Sequence, residues 1–237
     1  MDLSAFKHGR PYKAVKFIIQ NLTPMTTKLN LFWATIALLL LSGCASGYKA
    51  IRPKTINYTA NNLDQGIGFS YRYDVLSEAG NKKYAKHEKS KNLKLVAVKV
   101  SNYTGHPLNL ANDVIFTAGN KILVPADPLV VKNELKQNAP IYLLFLLLTP
   151  LNLNIYNSSS NGYGTEVNNS HSYPIGLLIG PGISIGNMVV ASTANTNFYN
   201  ELLSFTISRD IENGQTIYCL IGFRDIGYEP LNLKLKQ

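Results

Sequence analysis

Leu93-Lys-Leu-Val-Ala-Val-Lys-Val100 is the stretch that decides the fold, because it is rich in apolar and β-branched residues. Such a run favours a strand at the centre of a sheet. Residues 67–75 precede it and alternate strictly between apolar and polar side chains, a pattern typical of a half-buried strand. The segment between the two stretches is rich in lysine and is expected to be a solvated loop.

Further short strands are predicted on both sides of a central segment. Three are expected between residues 107 and 125, separated by turns. Beyond Phe205 the alternation returns, and two strands each present one apolar face, formed by Ile217, Cys219, Ile221 and Phe223 and by Leu231, Leu233 and Leu235. About eight short strands at this spacing predict a mainly β chain with an antiparallel β-sandwich, formed by residues 64–126 and 204–237.

An almost uncharged segment separates the two groups of strands. Over residues 137–200, Glu166 is the only aspartate, glutamate, lysine or arginine. Two apolar stretches, residues 140–148 and 175–191, flank a loop rich in Asn, Ser and Gly. We therefore expect an apolar helical hairpin, residues 127–203, inserted into the sandwich.

Four glycines in the second apolar stretch form two Gly-x-x-x-Gly pairs, a spacing that lets two backbones approach closely, as between membrane helices. Pro181 lies among them and is expected to break or kink a helix. The hairpin would dip into lipid, pack on a membrane partner, line a lipid-sized pocket or fold onto its own sandwich, and the sequence leaves these alternatives open. Full spanning is not expected, because the first stretch is interrupted at Thr149-Pro150 and a span needs about 20 apolar residues. The residues predicted to contact a membrane or a partner are Leu143, Phe145, Leu147, Gly176, Gly180, Gly182 and Gly186.

The N-terminal region carries a secretory signal. Lys28 precedes an apolar run over residues 31–41, which is about a dozen residues long and shorter than the roughly 20 that a transmembrane helix needs. The run ends in Leu41, Ser42, Gly43 and Cys44. These four residues resemble the lipobox of bacterial lipoproteins. The resemblance implies that the Cys44 thiol is diacylated, that the chain is cut before Cys44 and that the new amine is acylated.

Residues 1–43 are accordingly predicted to be a signal peptide outside the folded part. Translation is expected to start at Met25, because residues 1–24 would make an unusually long n-region. Residues 44–63 are expected to be a lipidated tether. Without the signal the formal net charge falls from +9 to +5, a mild basic bias, and nucleic acid is not an expected partner of an exported, lipid-anchored chain.

The strands also resemble a known type of module. The rhythm of strands and turns over residues 96–110 and 214–223 is similar to the immunoglobulin-like modules of bacterial envelope lipoproteins. This resemblance implies an immunoglobulin-like antiparallel β-sandwich. The chain departs from immunoglobulin domains in lacking their Cys–Trp–Cys pattern, since Trp33 in the signal is its only tryptophan.

No catalytic, metal-binding or cofactor-binding pattern was found in the sequence. His87, His106 and His171 lack metal-ligand spacing, and no serine or cysteine has a base in a recognised pattern. Cys219, the only thiol left after lipidation, is expected to be a small buried apolar residue. We therefore predict no enzymatic activity, no cofactor and no metal.

The sequence predicts a lipid-anchored protein of the bacterial cell envelope that acts as a binding or scaffold module. The expected partners are the membrane, through lipidated Cys44, and an envelope protein. Ala45 is not the aspartate that retains lipoproteins in the inner membrane, so the resemblance implies the outer membrane, facing the periplasm. The alternative is a carrier of a lipid or other hydrophobic ligand, bound in a pocket lined by residues 137–200.

Overall fold

Strand β3, Leu93–Asn102, lies inside a four-stranded antiparallel sheet, which confirms the predicted central strand. The computed structural model describes residues 44–59, 62–161 and 164–236. The predicted signal peptide, with Leu41, Ser42 and Gly43, lies outside the described residues. The other strands of this sheet are β1, Asn62–Asp64, β2, Ile67–Arg72, and β10, Thr216–Arg224, in the order β1-β2-β3-β10.

A second antiparallel sheet packs on one face of the first. Its strands, in the order β11-β5-β6, are β5, Val114–Ala118, β6, Lys121–Leu123, and β11, Leu231–Leu235. The two sheets share one apolar core, in which the ring centres of Phe116 and Phe223 are 5.5 Å apart. A short ladder at the same core joins β4, Leu108–Asn109, to β9, Asp210–Ile211.

The apolar sequence of β3 follows from burial on both of its faces. Successive side chains of a strand lie on opposite faces, so a strand covered on both sides needs apolar residues at consecutive positions. The side chains in the core between the sheets are Val96, Val98 and Val100, and those in the core under the helices are Leu93, Leu95 and Ala97.

Helices cover the outer face of the first sheet. They are α1, Val75–Glu78, α2, Lys82–Lys91, α3, Pro128–Leu135, and the C-terminal half of α4, Gly176–Ser204. A 3-10 turn, Pro53–Thr55, lies near β10. Helices and strands contribute about equally to the described residues, so the expectation of a mainly β chain is not confirmed. The body consists of a helical layer, the first sheet and the second sheet.

Helix α2 lies where a solvated loop was expected. Tyr84 and Glu88 are one turn apart and are both buried, while the lysines of the helix lie around them. Lysine is a good helix former, and side chains four residues apart share one face of a helix. The segment is thus a helix that buries only a narrow face. Its many lysines hide this pattern in the sequence, so a loop was predicted instead.

The predicted apolar hairpin has two helical arms, but a β-hairpin joins them instead of a loop. Ala139–Leu148 forms a 3-10 helix that packs on α4. Strands β7, Leu153–Asn161, and β8, Gly164–Tyr173, pair antiparallel between the arms. The predicted break at Pro181 is wrong, because α4 continues through it. This proline lies near the start of the helix, where it removes a single backbone hydrogen bond.

We expect the substitution Gly222→Ala to lower the free energy of unfolding. A β-carbon at Gly222, on β10, would overlap the buried Val131 side chain of α3. Overpacking of this kind costs about 1–3 kcal/mol. Gly47→Ala is the control, since no atom lies within 4 Å of its added carbon. Urea denaturation should show a lower midpoint for Gly222→Ala alone; equal midpoints for the two variants would contradict the close packing of α3 on β10.

Candidate functional site

Cys44 lies beside α4 and is the first residue of a compact unit. The backbone N–H of Ala45 donates a hydrogen bond to Asn187 Oδ1 at 2.6 Å. Ser46 exchanges two hydrogen bonds with the side chain of Gln137, at 3.2 and 2.6 Å. The residue predicted to carry the lipid is therefore bound next to α4 and next to the start of the 3-10 arm.

Glu201 binds the same segment further along α4. Its carboxylate accepts hydrogen bonds from the backbone N–H groups of Ile51 and Arg52, both at 3.0 Å, and from the Tyr48 hydroxyl at 2.5 Å. Burial, together with this carboxylate, raises the pKa of Tyr48, so the phenol stays protonated and remains a donor. The segment thus runs along α4 from Asn187 to Glu201. In this part of the chain, packed backbone replaces the predicted tether.

A buried amide network defines where the chain leaves the body for the 3-10 arm. Asn195 Oδ1 accepts hydrogen bonds from the backbone N–H of Gln137 at 2.8 Å and from the Tyr84 hydroxyl at 3.0 Å. Asn195 Nδ2 donates to the carbonyl oxygen of Gln137 at 2.9 Å. All three residues are buried. A buried polar group without its partner costs about 1–3 kcal/mol, so the network favours this one starting point.

The sequence pattern did not predict a role for these polar residues of α4. Asn187, Asn195 and Glu201 interrupt a largely apolar segment. At about 100° per residue they lie within roughly 120° of one another around the helix. The helix carries other polar residues outside this sector, Thr193 and Asn200 among them, so the pattern does not single out these three, and their partners are distant in sequence.

Residues 139–151 and 175–190 pack together as a stem. A 3-10 helix has three residues per turn, so Tyr142 and Phe145 share one face, and both are buried. The 3-10 arm makes its main packing contacts with α4. Most of its remaining surface is left open.

Two glycines of α4 let the arms of the stem touch. A β-carbon at Gly180 would lie 2.7 Å from Thr149 Oγ1, and one at Gly176 would lie 2.7 Å from the backbone nitrogen of Leu151. Real β-carbons do not come this close to another heavy atom. The predicted close backbone approach is confirmed for this Gly-x-x-x-Gly pair.

The residues predicted to contact a membrane or a partner divide into two groups. The outward-facing ones are Leu143, Leu147, Gly182 and Gly186, and the inward-facing ones are Phe145, Gly176 and Gly180. The inward group joins the two arms and does not form an outer surface. The second glycine pair, in contrast, has no atom within 4 Å of an added β-carbon.

The outer surface of the stem is apolar. Leu147 on the 3-10 arm is 73% exposed and Leu178 on α4 is 82% exposed. Other large exposed apolar residues of the two arms are Ile141, Leu143, Leu144, Leu146, Leu151, Leu177, Ile179, Ile185, Val189 and Val190. Monomeric soluble proteins rarely expose apolar patches above roughly a few hundred Å², so this surface indicates a contact with a membrane or a protein.

Positive charge lies at the body end of the stem. Lys83 Nζ donates to the carbonyl oxygen of Cys44 and, at 2.9 Å, to the Tyr142 hydroxyl. Lys132 and Lys136 lie shortly before the 3-10 arm, and Lys136 is exposed. Lysines beside an apolar surface suit an anionic headgroup layer.

Among the described residues, α4 is the one helix long and apolar enough to cross a membrane. A buried core helix passes the same test, and the C-terminal half of α4 is such a helix, with Phe198 and Leu202 buried. The exposed apolar residues of α4 lie mainly in its N-terminal half. The two halves are therefore suited to different surroundings.

A groove of about 750 Å³ lies beside α2, apart from the stem. Side chains of both charges line it, and these are Lys82, Lys86, Lys89, Lys94, Asp74, Glu78 and Glu88, whose carboxyl group is buried. That carboxyl group accepts a hydrogen bond from the backbone N–H of Leu95 at 2.7 Å, and burial raises the pKa of Glu88 to about 7. The lining carries four lysines against three acidic residues, so its slight positive excess suits a polar, acidic partner better than a lipid chain.

The remaining candidates for chemistry have structural surroundings. Cys219 is buried as predicted, and burial raises the pKa of its thiol to about 12. His87 Nδ1 lies 3.0 Å from the carbonyl oxygen of Leu135. In the part of the chain that the structure describes, no group of three or more His, Cys, Asp or Glu side chains is placed to bind a metal. The absence of a metal and of a cofactor stays a prediction.

Comparison with known proteins identifies no relative. Neither a protein-family model, nor a curated protein, nor a solved structure matches the chain. The resemblance to bacterial lipoproteins consequently depends on residues 41–44, and the resemblance to immunoglobulin-like modules stays a prediction.

Gly176→Ala should separate the two arms of the stem. The added carbon would meet backbone atoms of residues 148–151, which have no rotamer to change, so we expect a loss of about 1–3 kcal/mol. Gly182→Ala, in the same helix but in open space, is the matched control. Hydrogen exchange should accelerate over residues 139–148 in Gly176→Ala only. Unchanged exchange in that variant would contradict the contact between the arms.

Raising the pH from 4.5 to 7 should destabilise the wild-type protein relative to Glu88→Gln. The folded state raises the pKa of Glu88 from 4.5 to about 7, so it favours the protonated acid. That stabilisation is present below the unfolded pKa and is lost as the pH rises through the folded pKa. At about 1.4 kcal/mol per pKa unit the loss is about 3 kcal/mol.

Glutamine keeps an acceptor for the Leu95 N–H but does not titrate, so urea midpoints of the two proteins at pH 4.5 and pH 7.5 are the measurement. The wild-type midpoint should fall relative to that of the variant. A difference that is constant across this range would show that the Glu88 carboxyl group is not buried in a way that favours its acid form.

Proposed function

We propose that the chain is a lipid-anchored protein of the bacterial cell envelope, acting as a non-enzymatic binding or scaffold module. The observation that carries the proposal is the position of Cys44. The residue that completes the lipobox pattern begins a compact unit and lies at the body end of an apolar stem. Lipid chains on its thiol would enter the membrane that the stem surface would also contact.

The surroundings of Cys44 support the anchor. Its side chain is exposed, as acyl transfer requires, and the Lys83 ammonium group beside it suits phosphate headgroups. Each buried methylene of an acyl chain contributes about 0.8 kcal/mol, so two or three chains give lasting attachment. We place the protein in the outer membrane, facing the periplasm, on the lipoprotein resemblance at residues 41–45.

The body is the proposed binding or scaffold module. Its two sheets share one core, as the sheets of a β-sandwich do, and this supports an immunoglobulin-like sandwich as a proposal. The helical layer on the outer face of the first sheet is an addition to that fold. The lysine-lined groove beside α2 is the surface whose charge suits an acidic envelope partner.

The carrier alternative has no comparable support. A pocket for a lipid would need space between the arms of the stem or beneath them. Gly176 and Gly180 instead bring α4 into contact with the backbone of the 3-10 arm.

Cys44→Ser should abolish lipid modification, because only a thiol can carry the thioether-linked lipid. Radioactive palmitate labelling and the intact mass of the membrane-extracted protein are the measurements. We expect the wild-type chain to be labelled and to begin at Cys44, and the variant to be unlabelled and uncut. Cys219→Ala removes the buried thiol and is the matched control, which should be labelled like the wild type. An unlabelled wild-type chain would overturn the proposal.

A further inference from the structure

The stem is nearly as long as the apolar band of a bacterial outer-membrane protein, although it is shorter than the roughly 30 Å hydrocarbon core of a typical bilayer. From Ile175 to Val190, α4 extends about 22 Å, at roughly 1.5 Å per residue. Leu153, Ile155 and Tyr173 are exposed apolar residues at the start of the β7–β8 hairpin and continue the apolar surface. The apolar band of outer-membrane proteins is roughly 25 Å tall, so the stem is close to this thickness.

The distribution of apolar side chains favours immersion in hydrocarbon over a position on the membrane surface. The 3-10 arm exposes Ile141, Leu144 and Leu147, while α4 exposes Leu178 and Ile185 on its outward side. Because the arm and the helix face each other, these residues cover opposite sides of the stem. A segment lying in the membrane surface needs a polar face toward water, whereas a rod that is apolar all round suits a lipid environment.

Hydrocarbon also requires that polar groups be bonded within the protein. The stem meets this requirement for most of its backbone; the exceptions are the hydrogen bond that Pro181 removes and the buried Ser184 hydroxyl, which has no partner among the described residues. The two helical arms bond their own backbones. At the far end, Leu151 donates to the carbonyl oxygen of Leu148 at 3.1 Å and Gly176 donates to that of Leu151 at 2.9 Å. The connection between arm and helix is therefore bonded as well.

The β7–β8 hairpin at the far end has different chemistry. Residues 157–172 are mostly Asn, Ser, Gly and Thr. A two-stranded hairpin also has unpaired backbone groups along both outer edges. Each such group costs several kcal/mol in hydrocarbon, so the hairpin is excluded from the centre of a bilayer. At the end of an inserted stem it has to emerge on the far side.

Cys44 marks the near side. Its neighbour Ala45 donates a hydrogen bond to Asn187, three residues from the body end of the stem, and Lys83 donates to the carbonyl oxygen of Cys44 itself. We propose that the stem crosses the bilayer beside the lipid anchor and places the β7–β8 hairpin on the opposite side of the membrane from the body. This inference rests on the proposed function for the position of the lipid anchor. In it, the exposed apolar side chains of the stem contact the hydrocarbon of the bilayer and not a protein partner.

Single cysteines in the full chain report the side of each part. Ser159→Cys in β7 probes the hairpin, and Ser208→Cys, an exposed position after α4, probes the body. Cys219 is 0% exposed, and the parent chain without an added cysteine measures any reaction at Cys44, so modification of each added cysteine is scored above that of the parent chain. In intact bacteria, a membrane-impermeant maleimide should modify Ser159→Cys, and it should modify Ser208→Cys only after the outer membrane is permeabilised.

The reverse order, with the body modified after permeabilisation and the hairpin only in detergent, would place the protein in the inner membrane and would equally support crossing. Modification of Ser159→Cys and Ser208→Cys at the same stage would overturn the proposal that the stem crosses the membrane. Ile185→Cys, an exposed position well inside the stem, should react at least tenfold faster after detergent is added. An unchanged rate there would overturn insertion of the stem into lipid.

Palmitate labelling of the same cells separates this inference from the proposed function. Labelled protein with both cysteines on one side would overturn crossing and leave the anchor. Unlabelled protein with the cysteines on opposite sides would overturn the anchor and leave crossing.

Discussion

The continuity of α4 is the constraint on which the rest of the structure depends. A single helix of 29 residues belongs to the core at one end and to the stem at the other. Phe198 packs on Tyr84, with ring centres 4.9 Å apart, in the same core as the outer face of β3. Because α4 is one continuous helix from the body into the stem, packing within the body sets the direction in which the stem leaves it.

The polar residues on one side of α4 bind the non-helical chain around it. Backbone N–H groups that are not in helices or sheets still need partners, and Asn187, Asn195 and Glu201 supply them for the segment after Cys44 and for the start of the 3-10 arm. The helix thereby orders two irregular segments at once. The anchor residue, the stem and the body are held in one arrangement by side chains that leave the apolar side of the helix free.

The parts predicted from the sequence were those with a local pattern. The run at residues 93–100 predicted the central strand, and the two uncharged stretches predicted the arms. Helix α2 was missed because Tyr84 and Glu88 are its only buried residues, too few to outweigh its lysines. The β7–β8 pairing was missed because Asn, Ser and Gly are depleted in strands. The packed segment after Cys44 depends on Glu201, about 150 residues away, and no local rule reports such a partner.

A lipidated protein does not need an apolar stem for attachment, since acyl chains at about 0.8 kcal/mol per methylene already hold it. The value of the stem therefore lies in geometry. A flexible linker of n residues would let the body move over a distance of roughly 5–6 Å × √n from its anchor. Ala45 and Ser46, directly after Cys44, are instead hydrogen-bonded to the body, so the chain has no flexible linker there. Under the proposed function, a lipid anchor without slack beside the apolar stem would fix both the height and the orientation of the body on the membrane. The lysine-lined groove and the β7–β8 hairpin are then presented in defined directions, which is what a scaffold requires and what a simple tether does not provide.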